Sequence, residues 1–279
     1  MISFDFEYWR PESIADAIQL YQKLAGAGKQ PMYYAGGTEI ISLARIGQLR
    51  TGAVIDLKGI PELNVCQFYG EVLVIGANVT LTRLAEARPF PLLGDTVRHI
   101  ADHSNRNKIT VGGNICGRFV YREAVLPLLL TDTHAVLTGP SGTRQAPLFQ
   151  LFNGTLNLLP GEILVRLLTP RRDVELPYVT IKKTKLEEID YPLVRLAAVQ
   201  TGPWIRVAFS GVSEEPFRSR EIEAVLNNAS LPLDVRIEQA IRRWPAPILD
   251  DILGSAEYRA FVLHNALQDA WAALKGGSA

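Results

Sequence analysis

Two short segments of this sequence carry paired glycines beside residues with hydroxyl, amide or carboxylate groups. Residues 34–39, the first glycine segment, read Tyr-Ala-Gly-Gly-Thr-Glu, and residues 110–114, the second glycine segment, read Thr-Val-Gly-Gly-Asn. Glycine lacks a Cβ, so backbone N–H groups in such segments can approach a ligand closely and bind an anion. Thr38 adds a hydroxyl group, and Asn114 adds both a hydrogen-bond donor and an acceptor. The two segments therefore predict a site for a pyrophosphate or a similar anion.

A purely structural role stays open for each segment taken alone, because consecutive glycines also form tight turns. Neither segment has the Gly-x-Gly-x-x-Gly spacing of a Rossmann fold or the Walker sequence of a P-loop. The residues thus favour an anion site that belongs to neither of these two classes.

The elements around the first glycine segment are well defined by their sequence pattern. Apolar residues at helical spacing predict a helix over residues 14–24, with Ser13 as its cap and Gly26 as its end. Residues 31–34 have the composition of a short strand, and residues 40–44 suggest a second, short helix. The first glycine segment is therefore predicted to join a strand to a helix, whose positive dipole end would favour an anion.

The second glycine segment lies in a longer region of mixed helices and strands. The predicted strands are residues 54–57, 65–68, 72–75, 135–137 and 163–168, and the predicted helices are residues 82–87, 96–102 and 124–130. The second glycine segment itself is predicted to be a loop. A polar, proline-bearing stretch at residues 169–173 suggests a domain boundary near residue 170.

The last third of the chain predicts a small sheet followed by helices. Three antiparallel strands are expected at residues 178–182, 194–200 and 204–209, and helices at residues 233–244 and 256–274. Tyr258, Phe261 and Val262 are expected to face the core from the last helix, and Trp204 and Trp244 are expected to be core residues.

Composition excludes several classes of protein. The 279 residues contain 29 Lys and Arg against 29 Asp and Glu, so the chain has no net charge to favour nucleic-acid binding. Two cysteines and four histidines, without a Cys-x-x-Cys or His-Glu-x-x-His pattern, exclude a disulfide framework, a structural zinc site and an iron–sulfur cluster held by this chain alone. Demanding redox chemistry would therefore need an organic cofactor or another chain. Short apolar stretches and an acidic start predict a cytoplasmic protein without a membrane segment.

Four motifs in order carry a resemblance to a known family. They are Ala-Gly-Gly-Thr-Glu at residues 35–39, Gly-Ala-Asn-Val-Thr at 76–80, Thr-Val-Gly-Gly-Asn-Ile at 110–115, and Asp-Asp-Ile-Leu-Gly-Ser-Ala-Glu-Tyr-Arg at 250–259. Together they resemble the FAD-binding subunit of the molybdenum hydroxylases, such as xanthine dehydrogenase and carbon monoxide dehydrogenase. The resemblance covers essentially the whole chain.

The resemblance implies a fold of the α+β (mixed α/β) class. It would comprise a two-subdomain FAD-binding domain of the vanillyl-alcohol-oxidase/p-cresol-methylhydroxylase type, over residues 1–170 with subdomains of about 1–56 and 57–170. A small α+β C-terminal domain, residues 171–279, would follow with a three-stranded antiparallel sheet and helices.

The resemblance also implies which residues contact a non-covalent FAD. Gly36, Gly37 and Thr38 would hold the diphosphate, Glu123 would accept hydrogen bonds from ribose hydroxyls, and Lys183 would lie near the flavin. The full implied set is Tyr33, Tyr34, Ala35, Gly36, Gly37, Thr38, Glu39, Ile100, Thr110, Val111, Gly112, Gly113, Asn114, Glu123, Leu164 and Lys183. No catalytic acid or base and no metal ligand is expected in this chain.

One stretch departs from the family pattern. Relatives typically have small residues between the Gly-Gly-Asn sequence and the acidic position, whereas residues 116–122 here read Cys-Gly-Arg-Phe-Val-Tyr-Arg. Bulky Phe119 and Tyr121, together with two arginines, would change the surroundings of the flavin.

The function implied by the resemblance is electron transfer inside a multi-chain enzyme. FAD would take electrons from a [2Fe–2S] subunit and pass them to NAD⁺ or another acceptor, while a third subunit would carry molybdopterin. A heterotrimer is the family expectation, with no nucleic-acid or membrane partner. The alternatives are a stand-alone flavin oxidoreductase and a degenerate relative that acts as a scaffold in assembly.

Overall fold

Three β-sheets of three to five strands, each accompanied by helices, follow one another along the chain in the computed structural model, which describes residues 2–187 and 189–276. The first elements are β1 (Glu7–Trp9), α1 (Ile14–Gly26), β2 (Met32–Tyr34), α2 (Thr38–Arg45) and β3 (Ala53–Asp56). The strands form a parallel N-terminal sheet in the order β1-β3-β2. The predicted helices and strands of this region are confirmed.

Helix α1 shows how the local sequence specifies these elements. The side chain of Ser13 accepts a hydrogen bond from the backbone N–H of Asp16 at 3.1 Å and so caps the helix. Ala17, Ile18 and Leu24 share one face and are buried against the N-terminal sheet. The cap fixes where the helix begins, and the apolar face fixes how it packs.

The middle of the chain forms an antiparallel central sheet. The strands of this region are β4 (Cys66–Tyr69), β5 (Val72–Gly76), β6 (His134–Gly139), β7 (Gly142–Pro147), β8 (Phe152–Asn153), β9 (Thr155–Leu156) and β10 (Ile163–Pro170). The central sheet has the order β4-β5-β10-β6-β7, and β8 pairs with β9 in a separate hairpin. The helices are α3 (Leu81–Ala87), α4 (Pro91–Arg98), α5 (His103–Arg106), α6 (Val111–Cys116), α7 (Val125–Leu130) and α8 (Leu148–Leu151), and a 3-10 turn covers Pro61–Asn64.

The predicted strands of the central region are confirmed, but β7 and the two-residue strands β8 and β9 were not predicted. β7 is an edge strand with few apolar residues, so it lacks the pattern of a buried strand. The helix predicted at residues 96–102 is displaced. Helix α4 begins at Pro91, whose fixed φ suits the first helical position, and it ends at Arg98. Asp102 then caps the separate helix α5.

The second glycine segment is not the loop that was predicted. Thr110 caps helix α6 with its side chain, and the glycine pair lies in the first turn of that helix. Glycine is a poor helix former, so the cap and the packing of Val111 and Ile115 in the core must stabilise this turn.

The rest of the chain forms the C-terminal sheet and its helices. They are α9 (Arg171–Val174), β11 (Tyr178–Thr184), β12 (Pro192–Thr201), β13 (Trp204–Ser210), β14 (Phe217–Arg218), α10 (Arg220–Leu226), α11 (Leu233–Arg242) and α12 (Ala256–Gly276). The strands pair in an antiparallel sheet in the order β11-β12-β13-β14. The three predicted strands are confirmed, and the two-residue β14 adds a fourth that the sequence did not reveal.

Three expectations about the C-terminal core were wrong. Tyr258 and Phe261 are 50% and 62% exposed, because the inward face of α12 is set by Arg259, which is fully buried. Arg259 donates to the backbone carbonyl oxygens of Leu193 and Gly211, at 3.0 and 2.7 Å. Trp204 is 42% exposed at the end of the β12–β13 hairpin. Val262 faces the C-terminal core and Trp244 packs against it, so these two expectations are confirmed.

The C-terminal sheet is a layer with two different neighbours. On one face, Val194, Leu196 and Ala198 pack with helices α10, α11 and α12 in a C-terminal core. On the other face, Ala197 and Val199 join the large core of the central region. Because successive strand residues alternate between faces, each residue of β12 is assigned to one side or the other.

The predicted division at residue 170 coincides with the end of β10, and it stays a prediction, as does the cytoplasmic location. Within the described part of the chain, none of the helices has the length and apolar character needed to cross a lipid bilayer.

Candidate functional site

A cleft of about 630 Å³ lies between the two glycine segments and the C-terminal sheet. This volume is in the range of small-molecule and cofactor sites. Of the residues predicted to contact a cofactor, those that line the cleft are Tyr33, Ala35, Gly36, Gly37, Thr38, Glu39, Ile100, Thr110, Gly112, Gly113, Asn114, Glu123 and Leu164. Tyr34, Val111 and Lys183 do not line it.

The first glycine segment is held by both conformation and crowding. Gly37 has a φ of +71° and is the N-cap residue of α2, a left-handed conformation that glycine adopts without strain. A Cβ on Gly36 would overlap the backbone carbonyl of Lys108. The backbone of this segment therefore lies directly against the residues that precede the second glycine segment.

The second glycine segment is held by capping and by contact with the end of β5. Thr110 Oγ1 accepts a hydrogen bond from the Gly113 N–H at 3.0 Å. The Gly112 N–H donates to the carbonyl of Ala77 at 2.8 Å, and a Cβ on Gly112 would lie 2.6 Å from the Ala77 Cβ. Asn114 uses its side-chain oxygen to accept from the Ala124 N–H at 3.2 Å. Gly113 lines the cleft, and a Cβ on it would lie 2.9 Å from Thr110 Oγ1.

Glu39 links the first glycine segment to residues 116–122, which follow the second glycine segment. It lies in the first turn of α2, and its carboxylate accepts hydrogen bonds from the backbone N–H groups of Arg118 and Phe119, at 2.7 and 3.3 Å. These two residues belong to the stretch 116–122 that departs from the family pattern. Glu39 thus fixes the path of that stretch along the cleft.

Aromatic rings stack at the cleft where the central region meets the C-terminal sheet. Tyr121 and Tyr191 are nearly parallel with ring centroids 4.5 Å apart, and Phe119 stacks on Tyr191 at 6.5 Å. The departure from the family pattern had indicated Phe119 and Tyr121, but nothing in the sequence indicated Tyr191, which lies in the β11–β12 connection. Ile189, Asp190 and Tyr191 all line the cleft, and no local pattern in that connection indicated it.

Glu123 lies in a buried ionic cluster at the cleft wall. Its side chain is 5% exposed and lies 3.5 Å from Lys182 Nζ and 3.2 Å from Arg195 Nε. Burial raises the pKa of Glu123 and lowers the pKa of Lys182, while the opposite charges of the cluster counteract both shifts. Lys182 also donates to the carbonyl oxygen of His99 at 2.6 Å.

Lys182, rather than the predicted Lys183, is the lysine that lines the cleft. Lys183 lies on the opposite face of β11 and pairs with Asp269 of α12 at 3.2 Å. The sequence contained a signal for this, because Val179 and Ile181 alternate toward the C-terminal core and place Lys183 on their side. Thr180, on the same face as Lys182, lies 3.3 Å from the hydroxyl of Thr96 on α4.

The remaining cleft residues provide a mixed apolar and polar lining. Tyr33 donates its hydroxyl to the carbonyl of Gly161 at 2.9 Å, and burial raises its pKa. Glu162, which sequence analysis missed, lines the cleft and pairs with Arg144 at 2.7 Å, which lowers the Glu162 pKa. Among the residues that the structure describes, no three His, Cys, Asp or Glu side chains lie close enough together to hold a metal ion.

Comparison with known proteins defines the class to which this fold and cleft belong. The profile of a family described as "FAD binding domain in molybdopterin dehydrogenase" matches residues 4–172. The match covers more than half of the chain, so the chain belongs to this family.

Individual relatives agree with this assignment. The carbon monoxide dehydrogenase medium chain of Afipia carboxidovorans is 30% identical over 277 residues, which cover 93% of each chain. The xanthine dehydrogenase FAD-binding subunit of Escherichia coli is 28% identical, covering 94% of this chain and 92% of the relative. The structure of carbon monoxide dehydrogenase from Hydrogenophaga pseudoflava contains a chain that superposes with a TM-score of 0.87 at 25% identity, with 99% of each chain covered.

These matches confirm the family, the fold class and FAD as the cofactor that were expected from the sequence. The chain is an FAD-binding subunit of the molybdenum hydroxylase family, and it is a subunit of an oxidoreductase.

Proposed function

We propose that this chain holds FAD non-covalently in the cleft between its two glycine segments and transfers electrons within a multi-chain molybdenum hydroxylase. The observation that carries the proposal is the cleft itself, in which two glycine backbones converge on one side and a buried carboxylate and lysine lie on the other. Glycine pairs that served only to form tight turns would require neither this convergence on one cleft nor a buried carboxylate and lysine across from them.

The backbone wall fits a diphosphate. Gly37, Thr38 and Glu39 line the cleft at the start of α2, where the first N–H groups of a helix have no acceptor within the helix itself. Gly113 contributes a surface without a side chain. An anion at this position gains hydrogen bonds from the backbone and the favourable end of the α2 dipole.

The side-chain wall fits the polar groups of a nucleotide cofactor. Within the described chain, the buried oxygen Oε2 of Glu123 accepts no hydrogen bond; it lies 3.2 Å from Arg195 Nε as an ion pair, and a carboxylate oxygen can accept from a further donor. A ribose or ribityl hydroxyl could donate to it. Lys182 carries its ammonium group beside this carboxylate, and Ile100 and Leu164 supply apolar surface.

Bound FAD would supply the redox chemistry, accepting electrons from a [2Fe–2S] subunit and passing them to NAD⁺ or another acceptor, with molybdopterin on a third subunit. The chain's own residues bind and orient the cofactor and limit the access of water. No acid or base of this chain is required for that role. A cytoplasmic heterotrimer with the iron–sulfur and molybdopterin subunits is the assembly that we propose.

FAD binding is tested by titrating the purified, cofactor-free chain with FAD and following flavin fluorescence and the visible spectrum. We expect saturation at one FAD per chain. The variant Gly113→Val, which adds a side chain to a residue that lines the cleft, should bind FAD more weakly, whereas Gly26→Val, outside the cleft, should bind normally. Failure of the wild-type chain to bind FAD would contradict the proposal.

The direction of electron flow needs the assembled enzyme. Anaerobic addition of NADH to the FAD-loaded complex should bleach the flavin absorbance if NAD⁺ is its acceptor. An unchanged spectrum with NADH, but bleaching when the complex is given its hydroxylation substrate, would show that electrons leave to a different acceptor.

A further inference from the structure

Two like charges face each other across a buried pair of strands beside the cleft. Lys182 on β11 and Arg195 on β12 are direct partners in the antiparallel register. Their side chains are only 7% and 1% exposed. Like charges placed directly opposite on one face of a sheet repel each other, and burial removes the water that would screen them.

One carboxylate serves both cations. Glu123 approaches Lys182 with one carboxylate oxygen and Arg195 with the other. Among the described residues of this cluster, one negative charge therefore opposes two positive charges. Asp190 also lies within electrostatic reach of Lys182, but it lies on the partly exposed rim, where solvent screens its charge.

Lys182 and Arg195 differ in what they can reach. Lys182 lines the cleft, whereas Arg195 lies behind it and donates to the carbonyl oxygen of Thr96 at 2.8 Å. The Arg195 Nε atom makes no hydrogen bond within the described residues, although it lies in ion-pair contact with Glu123. Arg195 therefore does not line the cleft, and its contacts toward the cleft are with Glu123, which in turn contacts Lys182.

We propose that Arg195 is a positioning residue that shares Glu123 with Lys182 and thereby leaves one unbalanced positive charge at the cleft wall, which favours the reduced, more negative form of the bound flavin. This inference rests on the proposed binding of FAD. If Arg195 were absent, Glu123 would neutralise Lys182 and the wall would carry no net charge.

The physical basis is the low polarity of the site. A charge buried at the cleft wall interacts with a ligand much more strongly than the same charge in water. Reduction adds negative charge to the flavin ring system, so a nearby cation stabilises the reduced form more than the oxidised form. The quantity to measure is therefore the midpoint potential of the flavin.

The test is a series of variants that changes the charge of the cluster stepwise in the full-length, FAD-loaded chain. Arg195→Met and Lys182→Met each remove one positive charge, and Glu123→Gln removes the negative charge. The double variant Glu123→Gln with Arg195→Met restores the net charge of the wild type. Midpoint potentials are measured by anaerobic spectroelectrochemical titration, and FAD affinity by titration of the cofactor-free chain.

We expect Arg195→Met and Lys182→Met to weaken the preference for reduced over oxidised FAD about tenfold each, which lowers the midpoint potential by about 30 mV for a two-electron couple. Glu123→Gln should raise the potential. The double variant should return close to the wild-type value, and Arg195→Lys, which keeps the charge, should also stay close to it.

Two controls separate charge from general damage. Lys183→Met removes a lysine on the opposite face of β11, and Arg218→Met removes a buried arginine that pairs with Glu223 at 2.7 Å away from the cleft. Both should leave the potential unchanged, even where Arg218→Met lowers stability.

The proposal is overturned if the double variant keeps the low potential of Arg195→Met, or if Lys183→Met shifts the potential as much as Lys182→Met. If the variants that carry Glu123→Gln do not fold, the comparison of Arg195→Met with Arg195→Lys still decides the question, because a potential of Arg195→Lys as low as that of Arg195→Met would also overturn the proposal. Loss of FAD binding in the wild type would refute the proposed function instead, so the two failures are distinguishable.

Discussion

The two glycine segments have the same pair of residues but need glycine for different physical reasons. In the first, Gly37 adopts a left-handed conformation before α2, and Gly36 lies against the backbone of Lys108. In the second, neither glycine has a positive φ, and Gly112 is required because Ala77 lies against it. One segment is therefore a turn held by conformation and crowding, and the other is a helical turn held by capping and crowding.

This difference shows that a Gly-Gly motif does not specify one backbone shape. Both segments nonetheless present a surface without side chains to the same cleft. What the family motif specifies is the absence of a Cβ at a close approach, and the surrounding elements determine the local conformation. The comparison can be tested by adding single methyl groups or removing single side chains.

The largest effect is expected for Gly36→Ala. The added Cβ would overlap the Lys108 carbonyl, and because that atom belongs to the backbone, a whole chain segment must shift. We expect the free energy of unfolding of the FAD-free chain to fall by about 3 kcal/mol or more. Urea unfolding measures this. Gly26→Ala, which meets no atom within 4 Å, is the matched control and should change stability little.

A smaller effect is expected for Gly112→Ala, and Gly113→Ala should separate stability from binding. The Cβ at Gly112 would crowd Ala77, which should destabilise the chain by about 1–3 kcal/mol. The Cβ at Gly113 would lie 2.9 Å from the Thr110 hydroxyl that caps α6. Alanine is the better helix former, which offsets the cost of this contact, so the FAD-free chain should stay nearly as stable as the wild type.

The stabilisation gained when FAD binds then separates an effect on cofactor binding from an effect on folding. FAD at a hundred times its dissociation constant should stabilise the wild type by about 2.7 kcal/mol. At the same FAD concentration, Gly113→Ala should gain clearly less stability than the wild type. Thermal unfolding with and without FAD measures this difference. An equal gain in Gly113→Ala would mean that this side of the segment does not contact the cofactor.

Removing the link between the first glycine segment and residues 116–122 should have an intermediate effect. Glu39→Ala loses both hydrogen bonds to the backbone N–H groups of Arg118 and Phe119, which should cost about 1.5 kcal/mol because the acceptor is charged. Trypsin should also cleave after Arg118 faster. Glu39→Gln keeps an acceptor oxygen and should recover part of the loss; identical behaviour of the two variants would show that the link is unimportant.

The smallest effect is expected for the cap of α6. Thr110→Ala removes the side-chain acceptor for the Gly113 N–H and should lower the free energy of unfolding by about 1 kcal/mol. Thr110→Ser keeps the hydroxyl and should behave like the wild type. Thr38→Ala should have little effect on the FAD-free chain, since α2 has no side-chain cap. If Thr38→Ala lost more stability than Thr110→Ala, the first glycine segment and not the second would be the one that depends on a threonine cap.

Much of the fold could be predicted because it is specified by local patterns. The helix α1 has its cap, its apolar face and its terminating glycine within a short stretch. The hairpin of β4 and β5 and the three long strands of the C-terminal sheet are rich in β-branched, aromatic and other apolar residues. By contrast, β7 and β14 lack such a composition, and they become strands only because a neighbouring strand offers backbone hydrogen bonds.

The candidate site was likewise predictable where local sequence specifies it and unpredictable where distant residues meet. Backbone features such as the glycine segments could be recognised from sequence, because the residue type itself is the signal. The partners of Glu123 could not, since Lys182 and Arg195 are 59 and 72 positions away in the chain and meet it only through sheet register and packing. Neither could Tyr191, whose ring stacks on Tyr121 across the boundary between two sheets.

The sequence by itself determined the family, the class of fold and the two glycine segments, because these depend on residue type and short-range spacing. Only the tertiary structure decided which lysine faces the cleft, that the second glycine segment is helical, and that one carboxylate is shared between two buried cations. The physical reason is that charge pairing and burial depend on distances in space, and strand register and layer packing bring together residues that are far apart in the chain.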